Sequence, residues 1–296
     1  MQRRCPDCLG DSPRTIASLD AAAIVRSNGT YRRDALSILD IAADTTFDVV
    51  SCSLCGFVYA RESLDEDFLS RLYRRVIDPV PAQEAACSPA WVAHQIDLAA
   101  ALLRRVENHG VVRFLDYGCG EGTIVRAIRG PRIHAMGYEP YMTPDGAVRS
   151  SLEEVQDATP FDALLLSDVL EHVPDPRSLL RQCRDLLAAD GWMTVSVPLF
   201  GEARLQAILD DLRSGRAVTP ELNPWEHLNY FSPESLVRMV ESEGFRVEPV
   251  PVPNFGLRSD SRGIRRALNA ARAAARMLRF AAAPAQGSTT VFAQRR

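Results

Sequence analysis

The chain has 296 residues, 46% of them hydrophobic and 24% charged, with a formal net charge of −4. That length allows two domains or one domain with an appendage, and the composition suits an apolar core. All 34 basic residues are arginine, which excludes a P-loop lysine, a Schiff-base lysine and a lysine general base. No run of 18 apolar residues occurs, so no membrane span is expected. Met1, Gln2, Arg3 and Arg4 lead into Cys5 and Pro6 with no apolar stretch, so a cytoplasmic, reducing setting is expected. There seven cysteines point to metal or packing before disulfides. A mildly acidic chain offers no global field for nucleic acid.

Residues 1–60 hold two Cys-x-x-Cys pairs around a polar stretch, and 61–110 read as a helical lead-in. Within it, Leu64, Phe68, Leu69, Leu72 and Tyr73 have helical spacing over 64–75. After the break at Pro79, Pro81 and Pro89, a second helix is expected over 90–107. From Val111 to the end the texture is β/α alternation. Strands are expected at 111–116, 132–138, 161–168, 192–198, 245–252 and 288–295, with helices near 122–129, 176–189 and 232–244. Residues 139–160 are too short for a full helix plus strand and are expected to be compact or irregular. A helical insertion is expected over 202–213, within a longer insertion near 200–231, and another insertion near 256–287. Strands separated by helices predict a Rossmann-like, doubly wound α/β sheet with an antiparallel pair at its edge.

The first of these strands runs into FLDYGCGEGT (114–123), with Gly118, Gly120 and Gly122 after Asp116. Glycines let the backbone turn tightly and approach a ligand at a helix N-terminus. Glu139 closes the second strand, where an acid accepts ribose hydroxyls. The alternative is a structural βα turn with a surface glutamate. Strand, glycines, helix, strand and acid in this order favour the ligand.

LDYGCGEG with YEP resembles the first two motifs of class I S-adenosylmethionine-dependent methyltransferases, and FDALLLSDVLEHVPDP, GWMTVSVP and PWEHLNYFSPESLVRMVESEGF resemble their later stretches. The resemblance implies that Asp116, Gly118 and Gly120 line the methionine part of the cofactor and that Glu139 holds the ribose. It also implies that Ser151 and Leu152 flank the adenine, that Ser167 sits near the transferring methyl, and that His172 caps the pocket. A side chain at Gly118 would then occupy the ligand's space.

Cys5-Pro6-Asp7-Cys8 and Cys52-Ser53-Leu54-Cys55 each put two thiolates on one turn. Two such turns make a tetrahedral S₄ site selective for Zn²⁺; coincidental pairs or a redox motif are the alternatives. The stretch between the pairs exceeds the usual ~15–20 residues, so it must carry its own structure. The arrangement resembles the zinc-ribbon leader of many bacterial methyltransferases, including those acting on deoxysugars. Cys87, Cys119 and Cys183 read as packing residues.

NPWEHLNYF (223–231) falls at the carboxyl edge of the sheet, where ligands bind. His227 is the candidate general base and Glu226 its orienting partner; alternatively His227 and Trp225 brace the insertion. His94, His109 and His134 read as surface or packing residues. Residues 258–280 read as an arginine-rich helix with a solvated face or an anion contact. The expected activity is methyl transfer to a small-molecule acceptor, a sugar or natural-product intermediate. The alternatives are an RNA methyltransferase gripping RNA with its zinc module, and a non-catalytic cofactor-binding partner subunit.

Overall fold

The computed structural model of the chain describes residues 2–62, 64–77, 88–108, 110–128, 130–141, 146–214, 221–248 and 288–296. Cys87, His109 and the arginine-rich helix expected over 258–280 lie outside these residues. The first of two sheets is antiparallel, in the order β1 (Pro13–Asp20), β2 (Thr46–Cys52), β3 (Val58–Ala60) and β9 (Asn229–Tyr230). The long stretch between the two cysteine pairs supplies β1, then helices α1 (Ala21–Ser27) and α2 (Ala35–Leu39), before β2. The Asp20 carboxylate starts α1 by accepting from Ala23 N at 2.6 Å. The last strand of this sheet comes from the far part of the chain. Trp225, just before it, is fully buried. Its ring stacks on Tyr31 at 6.0 Å and meets Phe47 and Phe68 edge-on at 5.6 and 5.8 Å. Trp225 is thus a core residue of the first sheet, the bracing role weighed for it in the sequence.

The second sheet has the order β6-β5-β4-β7-β8-β11-β10. Its parallel strands are β4 (Val112–Tyr117), β5 (Ile133–Tyr138), β6 (Val148–Arg149), β7 (Phe161–Ser167) and β8 (Leu187–Pro198). Strand β11 (Ser288–Arg295) runs antiparallel between β8 and the outer strand β10 (Phe245–Glu248). Helix α4 (Pro89–Leu103) covers one face, where Leu98, Leu102, Phe114, Leu165 and Phe292 pack together. Helices α7 (Pro176–Leu186) and α9 (Pro233–Ser242) cover the other through Leu179, Leu180, Leu236 and Met239. Both have proline in the first turn and a capping side chain, Asp175 and Ser232, and α9 carries a full Ser232–Ser235 capping box.

Three expectations differ in detail. The helix over 64–75 is α3 (Glu66–Arg71) followed by a π-helical turn, Leu72–Val76. Residues 139–160 hold the two-residue edge strand β6 and helix α6 (Leu152–Asp157); at the sheet edge two residues suffice to pair with β5. The helix expected over 176–189 ends at Leu186, since Leu187 already pairs with Phe161, and a register shift follows in which Ala163 meets Trp192. The insertion helix is α8 (Glu202–Arg213), preceded by short α5 (Thr123–Ala127) earlier in the chain. Among the described residues no helix is long and apolar enough to cross a membrane.

Arginines tie the two sheets together. The buried Arg3 guanidinium donates to Ala60 O, Leu228 O, Pro174 O and Asn229 Oδ1 at 2.7–3.1 Å. Burial lowers its pKa to about 10, so it stays charged at neutral pH. Buried Asp7, in the first cysteine turn, pairs with Arg238 of α9, and Arg177 of α7 donates to Pro6 O at 3.1 Å and to Asp7 O at 3.0 Å.

Candidate active site and cysteine cluster

The four cysteine sulfurs of Cys5, Cys8, Cys52 and Cys55 lie within 4.8 Å of one another, with Cys5–Cys55 at 3.6 Å and Cys8–Cys52 at 3.5 Å. Tetrahedral zinc with Zn–S bonds of about 2.3 Å separates its sulfurs by about 3.8 Å, so this donor set fits the ion. Each pair sits on the same kind of turn. Leu9 N donates to Cys5 O and Gly56 N to Cys52 O, both at 2.8 Å, with φ of 63° and 78°. Glycine adopts that conformation freely, whereas Leu9 bears about 1–2 kcal/mol of strain. Burial pushes the Cys5 thiol up to about 11, so a bound cation is what would draw off its proton.

The glycine turn lies at the carboxyl ends of β4 and β5. Gly118, Gly120 and Gly122 all have positive φ, at 79°, 51° and 74°. A Cβ on Gly118 would stand 2.3 Å from Val169 Cγ2, while no described residue lies within 4 Å of one on Gly120. The expectation that a Gly118 side chain meets the ligand is therefore corrected: it meets the loop after β7, and Gly120 faces open space. The Glu139 carboxylate accepts from Gly120 N and Tyr141 N, each at 3.3 Å, and burial raises its pKa. Burial, then the charge of Glu139, pushes buried Asp116 up to about 7. Two acids around an open turn suit a ligand bringing hydroxyls and positive charge. Ser151 stands at the N-cap of α6 and Leu152 packs against the core, both just beyond β6.

Asp116 gives a pH prediction. Its unfolded pKa is near 3.9, and its folded value is about 7. Between these the folded state holds a proton that the unfolded state lacks, so stability falls as pH rises through the window. The ligand-free protein is expected to melt several degrees lower at pH 8 than at pH 5.5, and Asp116→Asn to reduce that difference. Thermal melts at the two pH values check it.

At the end of β7 the chain builds a polar corner. Asp168, with φ of 55°, accepts from Trp91 Nε1 at 3.4 Å and Gln95 Nε2 at 3.2 Å. His172 Nδ1 donates to Glu226 O at 2.9 Å and lies 3.2 Å from the Tyr73 hydroxyl. The Tyr73 ring stacks on Tyr141 at 5.1 Å, beside Glu139. Burial, then His227, pulls His172 down to about 3, which leaves it neutral. The His227 ring lies 5.1 Å from His172, and its Nδ1 donates to Glu221 O at 2.9 Å. Glu226 turns elsewhere: its carboxylate accepts from Asn28 Nδ2 at 2.8 Å and Asn223 Nδ2 at 3.0 Å. Adjacent residues on this segment face apart, so Glu226 anchors the segment to the first sheet's unit instead of meeting the imidazole of His227. The Leu228 and Asn229 amides donate to Glu171 O at 2.8 and 3.0 Å, which locks the corner.

Tyr73, Tyr141, Asp168 and Glu171 were not singled out in the sequence. Tyr73 was hidden in a helical hydrophobic pattern, and the two acids lay inside a stretch read as a whole. The signal available was acid spacing in SDVLEH, which puts Asp168 and Glu171 on one turn.

Parallel strands, an open glycine turn and an acid closing the next strand define a cofactor-binding α/β protein. The chain belongs to the methyltransferase-domain family, whose profile matches residues 75–250. It is 28% identical over 152 residues to a ubiquinone biosynthesis O-methyltransferase of Aeromonas salmonicida, covering 46% of this chain and 63% of that protein. It is 27% identical over 229 residues to the C-methyltransferase NovU of Streptomyces niveus, covering 71% and 50%. The chain thus spans about half to three-fifths of these curated relatives. Among solved structures it resembles 1,6-didemethyltoxoflavin-N1-methyltransferase of Burkholderia thailandensis, bound to 1,6-didemethyltoxoflavin and S-adenosylhomocysteine. That similarity has a TM-score of 0.45 at 14% identity and covers 81% of this chain and 96% of that one.

Proposed function

We propose that the chain transfers a methyl group from S-adenosylmethionine to a small-molecule acceptor that gives up a proton, with a sugar or natural-product intermediate as the preferred class. The observation that carries this reading is the meeting of the open glycine turn and Glu139 with the His172–His227 corner, bridged by Tyr73 and Tyr141. The bound cofactor supplies a methyl on a sulfonium that is already a good leaving group. The chain's task is to bind, align and exclude water. Asp116, Gly118 and Gly120 line the methionine part, Glu139 takes the ribose hydroxyls, and Ser151 and Leu152 flank the adenine. Ser167 lies near the methyl, and Tyr73 and His172 close the pocket. His227 accepts the acceptor's proton, while Glu226 fixes the segment that carries it. Cys5, Cys8, Cys52 and Cys55 hold one structural Zn²⁺, since four thiolates leave no open position.

Glu139→Ala is expected to weaken binding of S-adenosylhomocysteine by roughly 1.5–3 kcal/mol, the scale of hydrogen bonds to a charged group. Calorimetry reads this, and unchanged affinity removes the assignment.

A further inference from the structure

Glu171, His172 and His227 come together at this corner. The Nδ1 atoms of His172 and His227 both donate to backbone carbonyls, Glu226 O and Glu221 O. A carbonyl only accepts, so in each neutral ring the proton sits on Nδ1 and Nε2 carries a lone pair. His172 Nε2 lies 3.6 Å from Glu171 Oε1, and one ring nitrogen of each histidine and a Glu171 oxygen fall within 4.8 Å of one another. Glu171 is 2% exposed, and among the described residues neither carboxylate oxygen has a hydrogen-bond partner. A His172 lone pair beside the buried Glu171 carboxylate sets acceptor against acceptor, an arrangement that is costly without a positive charge or a proton between them.

We propose that Glu171, His172 and His227 hold one shared proton at the acceptor end of the site, and that Glu171, not Glu226, is the positioning carboxylate that sets the basicity of His227. The inference rests on the methyl-transfer reading. In the step it supports, the shared proton has left and Glu171 is ionised. The acceptor's X–H bond then gives its proton to His227 Nε2, and the freed pair forms the bond to the methyl carbon. The C–S bond breaks with its electrons going to sulfur. Glu171 stabilises the imidazolium left behind, and the proton then passes to solvent. The site therefore selects acceptors that enter as neutral weak acids, hydroxyl or enol, in preference to amines that are already nucleophilic.

The corner is rigid enough for this role. The Leu228 and Asn229 amides hold Glu171 O, and Asn229 Nδ2 holds Leu170 O and Val173 O at 3.1 and 2.7 Å. Burial, then the charge of Asp168, raises Glu171 well above the usual carboxylate range. The other titratable groups around the corner are Tyr73 from the π-helical turn, Glu139 and Tyr141 beyond β5, Asp168 after β7, His94 on α4, Glu226 and Tyr230. A metal ion is the competing occupant. Two imidazoles and a carboxylate also form a metal-ligand set, and the zinc arm of the test separates the two occupants.

The test needs no acceptor. The five histidines are labelled with ¹⁵N in the zinc-loaded full chain with S-adenosylhomocysteine, and ring nitrogens are followed from pH 5 to 9. His227→Gln and His172→Gln provide the assignments. His172 is expected to stay neutral on Nε2. His227 is expected to titrate at a pH at least one unit lower in Glu171→Gln than in wild type, the effect of losing a carboxylate at this range, and at the wild-type pH in Glu226→Gln. An unmoved His227 titration in folded Glu171→Gln overturns the proposal. So does a second equivalent of Zn²⁺, beyond the cysteine site, that shifts both ring signals and vanishes in Glu171→Gln. Calorimetry of S-adenosylhomocysteine on the same samples reads the methyl-transfer premise separately.

Discussion

His227→Ala is expected to lower turnover by ~10²–10⁴-fold with affinity for S-adenosylhomocysteine nearly unchanged, the scale of a lost general base. The chain has no lysine, and His172, held down to about 3 by burial, is a poor base at neutral pH. Asp116 and Glu139 belong to the glycine turn, on the cofactor side. His227 instead stands on the segment before β9, tied to Glu221 O and packed beside His172 and Tyr230. None of these contacts reaches the glycine turn directly, so its loss should spare cofactor binding. Initial rates and calorimetry on the same preparation check the split. A parallel loss of cofactor affinity would assign His227 a structural role. Turnover near wild type would mean that the acceptor needs no base.

Cys52→Ser is expected to abolish zinc binding at the proposed four-cysteine site and to lower the melting temperature by ten degrees or more. Structural zinc in small modules contributes on the order of 10 kcal/mol to folding. Cys52 is the buried last residue of β2, and Cys5 lies two residues beyond Arg3. Losing the ion frees the first turn from the second. It thereby loosens the Asp7–Arg238 pair and the Arg3 bonds to Leu228 O and Asn229. Because β9 pairs with β3, the effect reaches the acceptor segment as well as the first sheet. Metal analysis and thermal melts check this. Full metal content in the variant, or a metal-free protein melting like wild type, contradicts it.

The second sheet was legible because its signals are local. Buried strands such as β4 and β7 are short apolar runs, and proline with a capping residue marks α7 and α9. Strand β11 runs over the residues expected for it, Ser288–Arg295. The first sheet was not legible, since β1 is half-exposed and its partners lie far along the chain. A two-residue strand at Asn229–Tyr230 has no periodicity to detect. The same non-locality hid part of the site. Cysteine spacing announced the sulfur cluster, and glycine spacing announced the turn. The partners of Glu226 are Asn28 and Asn223, however, and the pairing of Glu171 with two histidines appears only when residues 171 and 227 are folded together. Reading Glu226 as the partner of His227 followed from adjacency in sequence, but both amides donate to Asn223 O in a turn from which the two side chains leave toward different partners.

In the proposed reading the open turn over Gly120 receives the cofactor. Asparagine tolerates positive φ, and no described residue lies within 4 Å of a Cβ at that position, so Gly120→Asn should fold and fill the ligand's space. Titration calorimetry of S-adenosylhomocysteine into both proteins is the direct measurement. Saturable binding at one molecule per chain is expected in wild type, and at least ~100-fold weaker binding in Gly120→Asn at similar melting temperature. No saturable binding by the wild type, or equal affinity in a folded Gly120→Asn, would contradict it.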